Sequence, residues 1–177
     1  MKKIIVADSC SLILLAKSLI LELLAESFPI IISKGVFNEV ASRDLLKRFA
    51  DAKIINDLVL CKKIKVVSVK PIFPSLPISM DKGELESIVL STQTGNSILA
   101  TDDGKAIKAC KYLKIPFIIT PRVVIELYIM DKIDLNKARI AIEKVRIAGR
   151  YSPDIIADAI LELEVCKDAK NSNNKGV

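Results

Sequence analysis

The chain has 177 residues, 51% of them hydrophobic and 5% aromatic, and its formal net charge is +6 from 27 Lys and Arg against 21 Asp and Glu. This length suits one domain, and the absence of histidine excludes imidazole catalysis and zinc sites built on His. The few aromatic residues argue against RNA binding by base stacking, whereas the positive charge favours either a polyanion or an ordinary solvated lysine surface.

Short apolar segments alternate with helical patterns along the chain. The predicted strands are KIIVAD, FPIIIS, IKVVSV, NSILATDD and IPFIIT. Helical patterns separate them, one of which runs from Leu45 to Cys61, and three more helices follow the last strand. This order predicts an α/β domain with a central, mainly parallel sheet. We expect one domain over residues 1–166, an ordered loop at residues 70–79, and a polar, disordered tail over residues 167–177.

The cysteines and the apolar segments bear on the cellular compartment. The four cysteines are widely spaced and form no metal motif, which predicts reduced thiols in a cytoplasmic protein. The N-terminal segment KKIIVADS is too short an apolar run for a signal peptide and is predicted to be a strand. Lys17 and Glu22 interrupt the next apolar run, so we expect no membrane span.

Carboxylates recur where predicted strands end or predicted helices begin. Asp8, Asp102 and Asp103 follow strands, Glu84 opens a helix, and Glu39 lies on another helix. In parallel sheets, sites lie beyond the carboxyl ends of the strands, so these acids are predicted to converge on a hard cation. Taken singly, each acid is more simply explained as a helix cap or a solvent-facing residue, and that alternative stays open.

Three segments carry a resemblance to a known family: VADSCSLILLAK, SKGVFNEV and DKGELESIVLSTQTGNSILATDD. In order and spacing they resemble the PIN-domain ribonucleases, and within these the archaeal and bacterial group related to the VapC-type toxins of toxin–antitoxin systems. The resemblance covers about residues 3 to 165 and implies a three-layer α/β/α fold with C-terminal helices.

The resemblance also implies roles for individual residues. It assigns catalysis to Asp8, Glu39, Glu84 and Asp102 or Asp103, with Asp8, Glu84 and Asp102 or Asp103 as ligands of Mg²⁺ or Mn²⁺, and it leaves the choice between the two adjacent aspartates open. The predicted substrate contacts are Ser9, Thr101, Lys105 and Lys108, although the two lysines equally suit a solvated helix face. Crowded carboxylates without metal are expected to have raised pKa values.

These implications define the expected function and partners. We expect a metal-dependent endoribonuclease that hydrolyses RNA phosphodiester bonds, with the toxin half of a toxin–antitoxin pair as one role and an antitoxin protein as partner. A catalytically inactive PIN-fold module that binds RNA or protein is the alternative, because Cys10 stands where the family often has Ser, Thr or Asn. A phosphoacceptor receiver domain ranks lower. A homodimer is expected through the apolar helices at residues 12–24 and 45–60.

Overall fold

The computed structural model describes residues 3–70 and 80–174, so the predicted loop at residues 70–79 lies almost wholly outside the described residues. Within them, the strands are β1 (Ile4–Ala7), β2 (Ile30–Ser33), β3 (Ile64–Val67), β4 (Ser97–Ala100) and β5 (Phe117–Ile118). The helices are α1 (Ser9–Lys17), α2 (Leu21–Ser27), α3 (Lys34–Val40), α4 (Arg43–Arg48), α5 (Ala50–Leu60), α6 (Lys82–Gln93), α7 (Gly104–Leu113), α8 (Thr120–Ile129), α9 (Leu135–Ala148) and α10 (Pro153–Asn174).

The strands form one sheet in the order β3-β2-β1-β4-β5, and every pair is parallel. From the centre, the chain runs outward first through β2 and β3 and then, after returning to β4, in the other direction to β5. The strand order therefore reverses between β1 and β4, where open α/β sheets have their crevice. Asp8 follows β1 and Asp102 follows β4, so the topology brings both acids to this crevice.

Helices cover both faces of the sheet because successive residues of each strand point to opposite sides. Ile5 and Ala7 of β1 face a large core with α1, α3, α5, α8, α9 and α10, whereas Val6 faces a smaller core with α6 and α7. Since both faces are buried, the strands are near-continuous apolar runs, as parallel strands usually are. The three-layer α/β/α fold and the parallel sheet predicted from the sequence are confirmed.

Two predictions of local structure are wrong. The predicted helix from residue 45 to 61 is two helices, because Phe49 adopts an extended conformation between α4 and α5. Residues 167–174 of the predicted disordered tail instead lie in α10, which ends at Asn174, and the rest of that tail lies outside the described residues. Lys170 explains the second difference: its Nζ donates to the Tyr128 carbonyl oxygen at 2.6 Å and pairs with Asp131, which ties α10 to the end of α8.

Most apolar side chains of the predicted dimer face on the first apolar helices lie in the large core, although Leu19 and Phe49 are exposed. Leu12, Leu15, Leu21 and Leu24 are all buried there. In the second segment Ile55 and Leu58 are buried and Leu60 is exposed. The homodimer itself stays a prediction. None of the helices in the described ranges is both long and apolar enough to cross a membrane.

Candidate functional site

A polar pocket of about 250 Å³ lies at the carboxyl edge of the sheet, beside the reversal of strand order. We call it the acid pocket. It is lined by Asp8, Ser9, Cys10, Glu39, Asp81, Glu84 and Asp103. Five carboxylates thus meet at one small cavity, and four of them are residues that the sequence singled out. Asp81 is an addition, and Asp102 does not line this pocket.

Asp8 caps α1 with one carboxylate oxygen and leaves the other unpaired. The Ser11 amide N–H donates to Asp8 Oδ1 at 2.8 Å. Asp8 is 2% exposed, and among the described residues its Oδ2 is the only buried side-chain nitrogen or oxygen atom without a hydrogen-bond partner. A buried carboxylate oxygen without a hydrogen bond is costly in free energy, so Asp8 Oδ2 is available to a further ligand, with the Thr101 side chain close enough to lower the pKa of Asp8.

Asp103 and Glu84 are held in the same way, each at the start of a helix. Asp103 Oδ1 accepts hydrogen bonds from the backbone N–H groups of Lys105 and Ala106, at 2.7 and 2.9 Å, at the N-terminus of α7. Glu84 Oε2 accepts from the Asp81 N–H at 3.0 Å at the start of α6. In each carboxylate, one oxygen fixes the orientation and the second makes no hydrogen bond to the described residues. The alternative of helix caps is therefore correct for Asp8, Glu84 and Asp103, and it leaves an oxygen of each available.

Glu39 reaches the pocket from α3 and is fixed by contacts across it. The Ser9 hydroxyl donates to Glu39 Oε2. The carboxylate lies against the Cα of Gly83, where a Cβ would clash with both of its oxygens. Glu86, two residues after Glu84, instead accepts from the Gly35 N–H at 2.9 Å and lies outside the pocket lining. A glycine at position 83 is thus a condition for the observed position of Glu39.

Asp102 lies in a different environment from Asp103, although the two are adjacent. Asp102 Oδ1 accepts from the Thr120 N–H at 2.7 Å and from the Tyr151 hydroxyl, and Oδ2 accepts from the Thr120 hydroxyl. We call Asp102, Thr120 and Tyr151 the Asp102 cluster. Both oxygens of this carboxylate are occupied, and they join the end of β4 to α8 and to the connection before α10. The geometry therefore favours Asp103 over Asp102 as the acid of the pocket.

Burial is the main influence on the pKa values of three acids at this edge, Asp8, Glu84 and Asp102. Burial raises the pKa of Asp8 to about 6, assisted by the charge of Asp102 and opposed by the nearby Ser11 and Thr101 groups. Burial also raises the pKa of Glu84, with smaller contributions from Asp103 and Asp81, and that of Asp102 despite its hydrogen bonds. The predicted rise in pKa holds for these three carboxylates, but its leading cause is desolvation and not repulsion between the carboxylates.

The structure separates the four predicted substrate contacts. Ser9 lines the acid pocket. Thr101 is fully buried, and its hydroxyl accepts a hydrogen bond from the Asp103 N–H at 3.3 Å. This position fits a residue that orients Asp103 and does not fit a residue that contacts the substrate. Lys105 and Lys108 are exposed on α7 outside the pocket lining, although the charge of Lys105 acts on Glu84.

The pocket carries negative charge that no ion pair among the described residues neutralises. None of the ion pairs found among the described residues includes Asp8, Glu39, Asp81, Glu84 or Asp103. In the same part of the chain, no three Asp, Glu or Cys side chains are arranged so that they could hold a metal ion as they stand. The donor set is nonetheless rich in carboxylate oxygens, and together with the unpaired Asp8 Oδ2 it fits a hard cation.

Sequence analysis missed three residues at this edge. Asp81, Thr120 and Tyr151 were not singled out as site residues from the sequence. Thr120 follows β5 directly, so its position after a strand was a usable signal. Tyr151 is 49 residues from Asp102 in sequence and reaches it only because α9 folds back over the sheet, which no local pattern indicates.

Comparisons with known proteins agree with this architecture. No curated protein matches the chain. The family model that matches residues 4–164 is described as a PIN domain, and these residues include all five strands and every acid of the pocket. The match covers most of the 177 residues, and this chain therefore belongs to the PIN-domain family, whose members are generally nucleases.

Proposed function

We propose that the protein is a metal-dependent endoribonuclease whose centre is the acid pocket. The observation that carries the proposal is the buried Oδ2 of Asp8, which has no hydrogen-bond partner among the described residues. Four further carboxylates line the same pocket, and none of the five forms an ion pair with a described residue. Such a concentration of negative charge calls for a cation, and PIN domains typically use divalent metals.

Asp8, Glu84 and Asp103 are the residues that would hold Mg²⁺ or Mn²⁺, each with the oxygen that its helix cap leaves unused. A divalent ion supplies an activated water and polarises the scissile phosphate when it is bound. Glu39, fixed by Ser9 and by contact with Gly83, adds negative charge on the opposite wall. The chain has no histidine to serve as a general base, so the carboxylates are its acid-base groups in this pocket.

Helix N-termini around the pocket make the site compatible with a phosphate as well as with carboxylates. The first turns of α1, α6 and α7 all face it, since Asp8, Glu84 and Asp103 cap or open these helices. The partial positive charge of each N-terminus stabilises anions nearby. The positive ends of these helices therefore offset part of the repulsion between the carboxylates and an approaching phosphodiester.

RNA is proposed as the substrate on the resemblance to PIN-domain ribonucleases. The excess of 27 Lys and Arg over 21 Asp and Glu is consistent with a polyanionic ligand. The role as a toxin with a cognate antitoxin stays a prediction that rests on the resemblance.

The test is cleavage of unstructured and structured RNA by the full chain in Mn²⁺ or Mg²⁺, with EDTA, matched DNA and two variants as controls. Asp8→Asn removes one carboxylate charge from the pocket but keeps a side-chain oxygen that can cap α1. Asp134→Asn is its matched control, because Asp134 caps α9 in the same way, accepting from Lys137 N–H at 2.7 Å, outside the pocket.

Cleavage that EDTA and Asp8→Asn abolish, and that Asp134→Asn retains, would support the proposal. Intact RNA under every metal condition would contradict it. If the intact RNA is nevertheless bound, the inactive RNA-binding module becomes the better description.

A further inference from the structure

A second cavity, of about 480 Å³, opens beside the acid pocket and shares Cys10 and Asp103 with it. We call it the Arg150 groove. One wall is apolar and comes from α1, and the other comes from the connection between α9 and α10. The residues that define it here are Cys10, Ile13, Leu14, Gly104, Arg150 and Tyr151. Because the two cavities share lining residues, a chain molecule that occupies one can continue into the other.

Arg150 differs from the other arginines of the C-terminal helices. Arg122, Arg139 and Arg146 each form an ion pair with a glutamate. Arg150 is exposed, and no acceptor among the described residues pairs with it. Its charge opposes the rise in the pKa of the Cys10 thiol, which lies in both cavities. A guanidinium group without a partner therefore stands beside a groove that leads to the carboxylates.

The acids of the groove do not cancel this positive charge by pairing with it. Asp102 lines the groove, but its two oxygens are occupied by the hydrogen bonds from Thr120 and Tyr151. Asp103 caps α7 with one carboxylate oxygen, and its side chain also lines the acid pocket. The fork of Arg150 is thus free for an anion, and guanidinium groups bind phosphates in a bidentate manner.

We propose that the Arg150 groove binds an unpaired nucleotide next to the scissile phosphate, with Arg150 on the neighbouring phosphate of the strand. This inference rests on the proposed function for the identity of the ligand. A cavity of about 480 Å³ is of the size that holds one small ligand. A base that is paired in a duplex must break its pairing and stacking before it can enter such a groove, whereas an unpaired base need not. The Arg150 groove therefore favours an unpaired nucleotide of the strand over one that is held in a duplex.

Gly104 offers a way to block the groove without altering the fold. A Cβ at Gly104 would meet no atom within 4 Å, and the same is true of Gly95, which lies outside both cavities. Neither glycine has a positive φ angle. Gly104→Leu therefore fills the groove, and Gly95→Leu is its matched control. Arg150→Gln removes the phosphate contact, and Arg43→Gln removes an exposed arginine outside both cavities.

The experiment measures fluorescence anisotropy of a labelled oligouridylate, a mixed-sequence single strand and a duplex of equal length. Binding is measured in EDTA over a range of salt concentrations, so that no turnover is needed, and cleavage in Mn²⁺ is assayed separately. Arg150→Gln is expected to weaken single-strand binding about tenfold and to reduce the slope of log affinity against log salt by about 0.7. Gly104→Leu should weaken binding without that change in slope, and the two controls should bind like the wild type.

The inference is overturned if Arg150→Gln and Gly104→Leu bind as the wild type does, if the wild type binds the duplex as tightly as the single strand, or if it binds no RNA. Each of these results leaves the cleavage assay to decide the proposed function on its own. Conversely, the expected binding pattern in a protein that cleaves nothing in Mn²⁺ would support the groove and contradict the nuclease. Urea unfolding of Gly104→Leu and Gly95→Leu confirms that both variants are folded.

Discussion

The acid pocket and the Asp102 cluster lie side by side at the same edge of the sheet, and each contains a carboxylate that directly follows a strand or opens a helix. In the Asp102 cluster each carboxylate oxygen accepts at least one hydrogen bond from Thr120 or Tyr151. In the acid pocket, Asp8 keeps a buried oxygen with no partner. The comparison separates carboxylates that join elements of the fold from carboxylates that still require a ligand.

This difference follows from where the neighbouring chain runs. β5 leads into α8 beside Asp102, so the Thr120 backbone and hydroxyl lie within reach of both oxygens. The edge at Asp8 is bordered by helix N-termini, each of which uses only one carboxylate oxygen as a cap. A carboxylate at the end of a strand is thus structural or functional according to what lies beyond its second oxygen.

The two adjacent aspartates give the largest expected contrast. Asp103→Asn should lower cleavage by about 100-fold or more, because even outer partners of metal ligands contribute about 10- to 100-fold. It should change the free energy of unfolding little, since Asn is also a good N-cap. Asp102→Asn should instead lower the free energy of unfolding by about 1–3 kcal/mol, because its amide cannot accept the hydroxyl bond at Oδ2.

Single-turnover cleavage and urea unfolding of both variants provide the measurement. A loss of cleavage in Asp102→Asn, measured where the variant is folded, that equals the loss in Asp103→Asn would show that the Asp102 cluster belongs to the catalytic centre.

The unpaired oxygen of Asp8 is expected to affect how the free energy of unfolding depends on pH. Its pKa of about 6 lies above the ordinary value of 3.8 for an aspartate, so the folded state binds a proton more tightly than the unfolded state does. The stabilisation is complete below about pH 3.8 and is lost as the pH rises through about 6. Asp8→Asn lacks this titration and keeps the cap oxygen, and without metal it should be more stable than the wild type at pH 7 by up to about 3 kcal/mol.

Urea unfolding of the wild type and Asp8→Asn in EDTA, at several values from acidic to neutral pH, measures this difference. Subtracting the two curves removes the contributions that Glu84 and Asp102 make to both proteins. Parallel curves would mean that Asp8 is not desolvated in the folded protein.

Gly83 tests whether the position of Glu39 matters to the acid pocket. Gly83→Ala places a methyl group where the Glu39 carboxylate now lies, so the carboxylate must move. We expect cleavage to fall by about tenfold, as for other changes that misplace a group around a metal. Gly95→Ala is the control, because a Cβ there meets no atom within 4 Å. Equal cleavage by the two alanine variants would show that Glu39 contributes nothing from its observed position.

The sheet and its parallel pairing were predicted from local signals, whereas four of the five pocket acids were singled out by local signals together with the family resemblance. Apolar strands bounded by polar residues gave the positions of Asp8 and Asp103, and the Gly-Glu pair at the start of a helix gave Glu84. The choice between Asp102 and Asp103 depended on Thr120 and Tyr151, which are distant in sequence. The helical end of α10 likewise depended on contacts of Lys170 with α8 and the residues after it. Partners remote in sequence were therefore what local patterns could not supply.

The smallest expected effect concerns Glu86, which is the counterpart of Glu84 on the same helix. Glu86 Oε2 accepts from the Gly35 N–H at 2.9 Å and joins α6 to the start of α3. Glu86→Gln keeps a carbonyl oxygen for that bond, so cleavage should remain within about twofold and the free energy of unfolding within about 1 kcal/mol of the wild type. Glu84→Gln also keeps its cap to Asp81 N–H, but it removes charge from the pocket and should lose most of the cleavage. If the two glutamine variants lose cleavage equally, then net charge near α6, and not a carboxylate oxygen left free by its cap, is what the site requires.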